Sequence, residues 1–446
     1  MPNYFISQDA NKMGHVQVNG ANGSLERITL YPVAPNPDNL PPKAPGGIST
    51  QWLVHHPTIP LICALTSYGN KHPAQLTCFS FEGGGDNTNN NVTLTKTSLE
   101  GATAGREAVH AAFSPTVDSS SGTVTLAVAH HNDGLVSFFQ FSTSKLPDSL
   151  MDQPALTLEL AEVEPGTQKT LATNRDLGLS IPSSHFVQYA STGEYIWIVD
   201  PNQSVVFTYA VDPKTGLPAS PTEKPTFTFQ CKTDAPSLGW FSGLVGKVMG
   251  LGCRPRRIAT SPNGEYVFLS YETRNVIQVY HVNAKTGQID PDNKGCLQEV
   301  STLEYTLVHQ PLIGFSFQAS AELVVFQNSL YVSNQGVVLF GRGENSIRVY
   351  GILDGGRLAN PHTVNCAGPV RHFCVSQEGT VETLVAGTGK PGQALQTFTR
   401  SSPSEKYQLV GTADVGVNVF CVLPAAAKKS DTSIAQPELM GDSSDA

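Results

Sequence analysis

Short apolar strands that recur along the whole chain predict an all-β fold, a single β-propeller of seven four-stranded blades. Two further observations favour this fold class. Glycine (40) and proline (31) are frequent and evenly spread, as expected for many strands joined by turns. No long segment has the 3.6-residue period of an amphipathic helix. With 446 residues, of which 39% are hydrophobic, the chain can bury a large core.

The repeat is clearest in two segments that share one plan. Both contain a short strand, a turn with Gly-Glu-Tyr, a second strand, a polar turn, and a third strand that ends at Thr-Gly. Gly193 and Gly264 stand where each tight turn needs a positive φ, which glycine adopts readily. The segment Tyr266–Leu269 is apolar throughout and is predicted to be a strand buried on both faces.

Looser copies of the same plan begin near Val54, His110, Ala321 and Arg371, which makes six repeats. Strands from the two ends of the chain can supply a seventh blade and close the ring, which removes free sheet edges. We therefore predict a propeller over residues 1–423. Residues 424–446 are small and polar, and are predicted to be a disordered tail.

Two apolar insertions interrupt the repeats at blade connections, where propellers build their binding mouths. The first lies between Cys231 and Cys253 and contains Trp240 and Phe241. Its bracketing cysteines could form a disulfide, or both could be free thiols. The second runs from Gln335 to Gly341 and contains Phe340.

Charge and composition argue against several partners and locations. A net charge of −9 without a Lys/Arg run makes nucleic acid an unexpected partner. No apolar run reaches the roughly 18 residues that span a bilayer, so no membrane association is expected. No His/Cys cluster has metal-ligand spacing. The first residues lack a signal-peptide pattern, which predicts a cytoplasmic protein. Sequons at Asn22, Asn91 and Asn202 keep a secretory origin as the alternative.

The segment RPRRIATSPNGEYVFLSYETRNVIQVY, residues 254–280, resembles the core repeat of the lactonase-type seven-bladed propellers. That family includes bacterial phosphogluconolactonases and fungal carboxy-cis,cis-muconate cyclases. The similarity extends over residues 100–400 and is strongest over 184–350. It implies the same propeller fold and an enzyme that needs no metal or organic cofactor.

The resemblance also implies a set of site residues. His185, in Ser184-His185-Phe186, corresponds to the family's histidine at the start of a blade, and Arg256 to the arginine of its Pro-Arg opening. Glu272 corresponds to the glutamate that closes the second strand of that blade. Arg342 corresponds to a last arginine only if the preceding insertion is looped out. We expect His185 and Glu272 to be catalytic, and Arg256 and Arg342 to bind substrate.

These residue types suit the formation or opening of a lactone. Arginine grips carboxylates with two hydrogen bonds and stays charged, and His or a tuned Glu exchanges protons near neutral pH. The resemblance implies a lactonising cyclase, with a lactone hydrolase as the alternative. Apolar residues Trp240, Phe241 and Phe340 near the mouth suggest a larger substrate. One hypothesis is therefore an intermediate of fungal secondary metabolism, cyclised by dehydration and hetero-Diels–Alder closure.

Other interpretations of the same residues remain open. His185 could be a core histidine bonded to backbone, and Arg256 and Glu272 could be a salt bridge that ties neighbouring blades. The chain could also be a non-catalytic propeller that binds a ligand or a protein, because fold does not fix function. No Gly-x-Ser-x-Gly elbow is present, which argues against a serine hydrolase of that type.

Overall fold

Seven antiparallel sheets of four strands make up the structure, a computed structural model. It describes residues 3–8, 11–19, 24–34, 48–68, 72–82, 92–115, 122–131, 133–142, 154–160, 182–220, 224–231, 254–272, 274–304, 316–338, 344–415 and 418–424. Within these ranges the helical structure is one 3₁₀ turn, Asp354–Gly356, and no helix is long and apolar enough to cross a bilayer. The prediction of an all-β, seven-bladed propeller is confirmed.

Each of the first three blades runs from an innermost strand at the axis to an outermost strand. Blade 1 consists of β28 (Val419–Pro424), β1 (Asn3–Gln8), β2 (Lys12–Val18) and β3 (Leu25–Pro32). Blade 2 consists of β4 (Ser49–His55), β5 (Leu61–Ser67), β6 (Gln75–Glu82) and β7 (Thr93–Ala102). Blade 3 consists of β8 (Ala108–Phe113), β9 (Thr123–His130), β10 (Leu135–Ser142) and β11 (Leu156–Glu159).

The remaining four blades have the same order of strands from the axis outward. Blade 4 consists of β12 (Phe186–Tyr189), β13 (Tyr195–Asp200), β14 (Val205–Ala210) and β15 (Phe227–Gln230). Blade 5 consists of β16 (Pro255–Thr260), β17 (Tyr266–Tyr271), β18 (Val276–His281) and β19 (Gln298–Ser301). Blade 6 consists of β20 (Ser316–Phe326), β21 (Ser329–Val338), β22 (Ser346–Ile352) and β23 (Leu358–Asn365). Blade 7 consists of β24 (Val370–Glu378), β25 (Val381–Thr388), β26 (Leu395–Arg400) and β27 (Gln408–Ala413).

The ring closes in blade 1, as predicted, because the last strand of the chain joins the first three. β28 pairs antiparallel with β1, with Ser7 opposite Cys421. Residues near both ends of the chain are therefore held in one sheet, and β1 is paired on both sides, with β28 and with β2. β28 ends at Pro424, and the predicted tail beyond it lies outside the described residues.

Apolar side chains form layers between adjacent blades. Trp197 of blade 4, for example, is fully buried in an apolar cluster that also contains Tyr271 and Leu269 of blade 5. Its indole N–H donates to the carbonyl of Gly287, 2.9 Å away in blade 5. Burying a large apolar side chain is worth about 1.5–3 kcal/mol, so these layers fasten each blade to the next. The predicted tight turns are confirmed, with φ of 74° at Gly193 and 72° at Gly264.

The second predicted insertion begins within a strand. β21 continues to Val338 and pairs with the start of β20, with Ala319 opposite Gln335 and Ser316 opposite Val338. The prediction that this insertion lies at a blade connection is therefore wrong, because it begins inside β21, and β21 and β22 belong to the same blade. The physical reason is that valine-rich sequence suits a strand, and a partner strand was available to extend the hairpin.

A β-bulge occurs at the same place in six innermost strands. In β16 the ladder register shifts between Pro255 and Arg257, so that Arg256 is the extra residue. Equivalent shifts occur in β4, β8, β20 and β24 and in the pairing of β1 with β28. A bulge re-aims side chains and is common beside functional sites. In this propeller it gives two consecutive residues of each strand a place near the axis.

Candidate functional site

Seven equivalent residues, one from each innermost strand, form what we call the floor: Trp52, His110, Phe186, Arg257, Glu322, His372 and Cys421. The ring centroid of His110 lies 4.3 Å from that of Trp52 and 4.0 Å from that of Phe186. The Trp52 ring also reaches His372, at 4.8 Å. These contacts cross from blade to blade around the axis, so the floor fills the centre of the propeller at this level.

The floor contains a buried ion pair. Arg257 Nε lies 3.2 Å from Glu322 Oε2, and the exposed fractions of the two side chains are 6% and 4%. The guanidinium carbon of Arg257 lies 4.8 Å from the Phe186 ring centroid and 5.5 Å from that of Trp52. His372 Nε2 lies 3.7 Å from the same oxygen of Glu322. A buried charge is costly unless it is paired, and Glu322 supplies the partner that Arg257 requires.

Above the floor, at the end where the innermost strands begin, lies a more exposed set of residues. We call the residues one position earlier in each strand the mouth layer: Gln51, Val109, His185, Arg256, Ala321, Arg371 and Phe420. The guanidinium of Arg371 stacks 4.6 Å from the Phe420 ring centroid. The side chain of Arg256 is 17% exposed, against 6% for Arg257. A ligand that enters from this end therefore meets Arg256 before it reaches the floor.

Two arginines form ion pairs with one carboxylate at the mouth. Arg256 Nη1 lies 2.5 Å from Glu272 Oε1, and Arg254 Nε lies 3.3 Å from Glu272 Oε2. Arg254 Nη1 also donates to Asn202 Oδ1 of blade 4, 3.4 Å away. The backbone supports this arrangement, because the Glu272 amide donates to the Arg254 carbonyl at 2.9 Å. Arg254 has a φ of 44°, a left-handed conformation that is costly for a residue other than glycine.

The electrostatics of Glu272 favour the ionised carboxylate. Burial would raise the pKa of Glu272, but the charges of Arg256 and Arg254 outweigh burial and hold the pKa below its ordinary value. At neutral pH this group therefore accepts hydrogen bonds and protons. It cannot act as an acid unless a ligand first changes its surroundings.

His185 belongs to the mouth layer and contacts the floor. Its Nδ1 lies 3.3 Å from Arg257 Nη1, and its ring packs edge-on against His131 with centroids 5.2 Å apart. Burial, followed by the charges of Arg256 and Arg257, lowers the pKa of His185 well below its ordinary value. His185 is therefore a neutral imidazole at neutral pH.

The structure brings together three of the four residues that carried the sequence prediction. His185, Arg256 and Glu272 all lie at the mouth, whereas Arg342 lies outside the described residues. The interpretation of Arg256 and Glu272 as a bridge between blades is wrong, because β16 and β17 belong to one blade. The bulge explains this, since it turns Arg256 toward the end of the adjacent strand.

Several other predicted features fall outside the described residues. Trp240, Phe241, Phe340 and Cys253 are among them, so the apolar rim and the Cys231–Cys253 disulfide stay predictions. The sequons at Asn22 and Asn91 also lie outside the described ranges. Asn202 is described, and its side-chain oxygen accepts the Arg254 hydrogen bond at the mouth.

Arg254, Arg257 and Glu322 were not expected at the site. Arg254 and Arg257 belong to the same Arg-Pro-Arg-Arg segment as Arg256, which was the available signal. Their different roles depend on the bulge, which the sequence does not reveal. Glu322 lies in another blade, 65 residues from Arg257 along the chain, so only the closed ring shows the pairing.

The arrangement suits chemistry on an anion. Arg254 and Arg256 can hold carboxylate or phosphate oxygens, Glu272 can accept a proton, and His185 can form hydrogen bonds at the same place. Within the described ranges, no group of three or more His, Cys, Asp or Glu residues is placed to hold a metal ion.

Comparison with known proteins supports the propeller fold. Residues 249–424, which include Arg254, Arg256 and Glu272, match the family described as Lactonase, 7-bladed beta-propeller. Among solved structures, a candidate 6-phosphogluconolactonase from Bacteroides uniformis is 15% identical, with 95% of this chain and 99% of that chain covered and a TM-score of 0.63. The periplasmic gluconolactonase of Pseudomonas aeruginosa is 14% identical, with 94% and 97% covered and a TM-score of 0.64.

A search among curated proteins finds no significant match. At identities of 14–15% the solved structures show the fold, while the family match covers the C-terminal blades. The predicted resemblance to the lactonase-type propellers is thereby confirmed.

Proposed function

We propose that this lactonase-type propeller is an enzyme that hydrolyses the lactone of a small anionic sugar acid, with Arg254, Arg256, Glu272 and His185 as its active site. The observation that carries the proposal is the carboxylate of Glu272 held between two arginines at the mouth. The structural neighbours described as gluconolactonase and 6-phosphogluconolactonase suggest the substrate class.

The charge of the mouth supports an anionic substrate. The mouth layer, the floor and the Arg254–Glu272 contact together contain four arginines and two glutamates: Arg254, Arg256, Arg257, Arg371, Glu272 and Glu322. The mouth and floor therefore have a local excess of positive charge, although the net charge of the chain is −9. This excess attracts anions to the mouth by long-range steering.

Arg256 has a donor to spare. Its Nε is buried and has no hydrogen-bond partner among the residues that the structure describes. The side chain as a whole is 17% exposed, so a substrate phosphate reaches it at a guanidinium N–H other than the buried Nε. Such a contact leaves Nη1 on Glu272, so substrate binding and the ion pair are compatible.

The reaction follows from these groups. A water molecule adds to the lactone carbonyl and gives a proton to Glu272, while the arginine N–H groups stabilise the oxyanion. The ring C–O bond then breaks, and the proton passes to the leaving alkoxide oxygen. A substrate anion also offsets the positive charge that holds the pKa of Glu272 low, which makes the carboxylate a stronger base when substrate is bound.

Closure of an unsaturated diacid is less well supported by the same geometry. That reaction must deliver a proton to carbon, and an ionised Glu272 and a neutral His185 are both poor acids at neutral pH. Cyclisation of a larger, apolar substrate rests on Trp240, Phe241 and Phe340, which lie outside the described residues.

The test uses the purified protein with glucono-lactone, 6-phosphogluconolactone and a carboxymuconate in separate reactions. Acid release is followed for the lactones above their spontaneous hydrolysis, and loss of diene absorbance for the muconate. We expect catalysed lactone opening that Glu272→Gln and Arg256→Gln each slow by at least about 10²-fold. The matched control is Arg274→Gln, which removes an Arg–Glu pair 3.1 Å long at the outer edge of the same blade.

Three outcomes decide between the alternatives. Lactone opening that depends on Glu272 supports the proposal. Turnover of the muconate alone favours the cyclase. If the folded protein turns over none of the three compounds, the hydrolase proposal is overturned for this substrate class, and binding of the corresponding acids measured by calorimetry identifies a non-catalytic propeller.

A further inference from the structure

The floor makes a specific contact with the mouth through Arg257 and His185. Arg257 Nη1 lies 3.3 Å from His185 Nδ1 and 3.4 Å from the carbonyl oxygen of the same residue. A guanidinium has donors only. His185 Nδ1 must therefore be the acceptor, and a neutral imidazole that accepts at Nδ1 carries its proton on Nε2.

Arg257 is fixed in this position from several sides. Glu322 holds its Nε, and the rings of Phe186 and Trp52 cover its guanidinium. Its side chain is only 6% exposed. An arginine held this way cannot turn away to let His185 Nδ1 take up a proton, since an Nδ1–H would point at an N–H of Arg257.

The charged groups that face His185 all lower its pKa. Arg254, Arg256 and Arg257 come from the start of blade 5, and His131 comes from the end of β9. His131 in turn has a carboxylate beside it, since its Nδ1 lies 3.6 Å from Glu107 Oε2. On the floor, the charge of Arg257 is balanced by Glu322, which also contacts His372. Within the described ranges, no carboxylate forms an ion pair with His185 itself.

We propose that Arg257 is a positioning residue that fixes His185 as the tautomer with its proton on Nε2, so that His185 serves the mouth as a hydrogen-bond donor and not as a base. The part that this donor plays in lactone opening rests on the function proposed above, whereas the tautomer does not. In that reaction the Nε2–H stabilises a developing oxyanion or the leaving oxygen, and proton removal from water falls to Glu272.

His372 shows the same principle in the floor. Its Nδ1 accepts the Val422 amide at 3.1 Å, so its proton is on Nε2, the nitrogen that lies 3.7 Å from Glu322. Two histidines near the axis are thus each held in one tautomer by a group that can donate a hydrogen bond but cannot accept one. A backbone amide does this for His372, and Arg257 does it for His185.

The experiment is nitrogen NMR of the whole protein labelled with ¹⁵N-histidine, recorded from pH 5.5 to 8.5 without substrate. His185→Asn assigns the signal among the 12 histidines. We expect His185 to show an unprotonated Nδ1 and a protonated Nε2 over the whole range. A His185 signal with Nδ1 protonated, or with both nitrogens protonated near pH 6.5, would overturn the proposal.

Variants test the role of Arg257 directly. Arg257→Met combined with Glu322→Gln removes the donor without leaving a buried charge unpaired. We expect both tautomers of His185 in this variant, because the donor that excludes a proton on Nδ1 is gone. The control is Arg254→Gln, which removes a nearby charge but not the contact, and should leave the tautomer unchanged.

The signals of His15 and His281, which lie away from the floor, report whether each variant is folded. If the double variant does not fold, Arg257→Gln combined with Glu322→Gln replaces it, because the glutamine amide oxygen can accept a hydrogen bond from Nδ1, which the guanidinium cannot. An unchanged His185 spectrum in a folded variant without the Arg257 donor would contradict the proposal. Because no substrate is present, this result is independent of whether lactone hydrolysis is found.

Discussion

Arg256 and Glu272 form an ion pair within a single blade, with Nη1 and Oε1 2.5 Å apart. The bulge in β16 makes this contact, because it places Arg256 outside the ladder and beside the end of β17. Arg254 completes the grip on Glu272 from its left-handed backbone position. The pair therefore belongs to the mouth, and the predictions about activity follow from it.

Glu272→Gln should lower kcat for lactone opening by about 10²–10⁴-fold, because the amide cannot accept the proton of water. The fold should be retained, since glutamine keeps the size of the side chain and its one amide oxygen can still accept from one of the two arginines. The measurement is kcat beside a thermal unfolding curve. Glu299→Gln, which affects the outer Arg274 pair, serves as the control. Equal rates for both variants would remove Glu272 from the mechanism.

The acidic side of the pH profile should report the low pKa of Glu272. Because Arg256 and Arg254 outweigh burial, the carboxylate stays ionised below the ordinary glutamate value of about 4.3. We expect kcat/KM to stay level as the pH falls from 7 to about 5, and to decline only below the ordinary value. In Arg254→Gln this decline should move to higher pH. A wild-type decline centred near pH 6.5 would instead indicate a histidine base.

Stability should fall in acid because of buried neutral histidines. Burial lowers the pKa of His130 from 6.5 to about 4. The unfolded chain therefore takes up the proton first, and stability is lost as the pH drops below 6.5 toward 4. For His130 the loss is about 2 kcal/mol between pH 6.5 and 5. Urea unfolding at both pH values should show this loss reduced in His130→Gln, with His281→Gln as the control; parallel behaviour of the two variants would contradict the assignment.

Closure of the ring should depend on β28. A chain that ends at Val415 loses the innermost strand of blade 1, including buried Val419 and Val422. We expect it to lose at least about 3 kcal/mol of stability or to become insoluble. A chain that ends at Pro424 keeps the strand and should unfold like the full-length protein. Thermal unfolding compares the three chains, and equal midpoints for all of them would argue against closure by β28.

Two glycines with the same backbone conformation should differ in their tolerance of a side chain. Gly264 and Gly287 have φ of 72° and 71°, but a Cβ on Gly287 would lie 2.4 Å from the buried ring of Tyr195, whereas open space surrounds Gly264. Gly264→Ala should cost about 1–2 kcal/mol for the left-handed backbone alone. Gly287→Ala should cost about 1–3 kcal/mol more, from overpacking between blades 4 and 5. Urea unfolding measures the difference, and equal costs would contradict the packing.

The fold could be predicted from the sequence because its signals are local. The Gly-Glu-Tyr turns at Gly193 and Gly264 mark the repeats, and each repeat is one blade. Closure by the two ends followed from the need to remove sheet edges. The extended hairpin at Gln335 was missed because valine-rich sequence fits both a strand and an apolar loop, and only the partner strand decides between them.

The site could be predicted only in part, because its contacts depend on bulges and on distant blades. His185, Arg256 and Glu272 were found from motifs. The motifs did not show that Arg256 lies at the mouth while Arg257 lies in the floor. These neighbours in sequence occupy different layers because of a one-residue bulge. Glu322 gave no local signal, because its partner Arg257 lies in another blade.

The central claim is that an anionic sugar acid binds to the arginines of the mouth. A crystal structure of the protein with gluconate, supported by calorimetry at the same concentration, tests it most directly. The account predicts the gluconate carboxylate within hydrogen-bond distance of the Arg256 guanidinium, with Glu272 and His185 beside it. Gluconate bound elsewhere, or an empty mouth at a concentration that saturates binding, would contradict it.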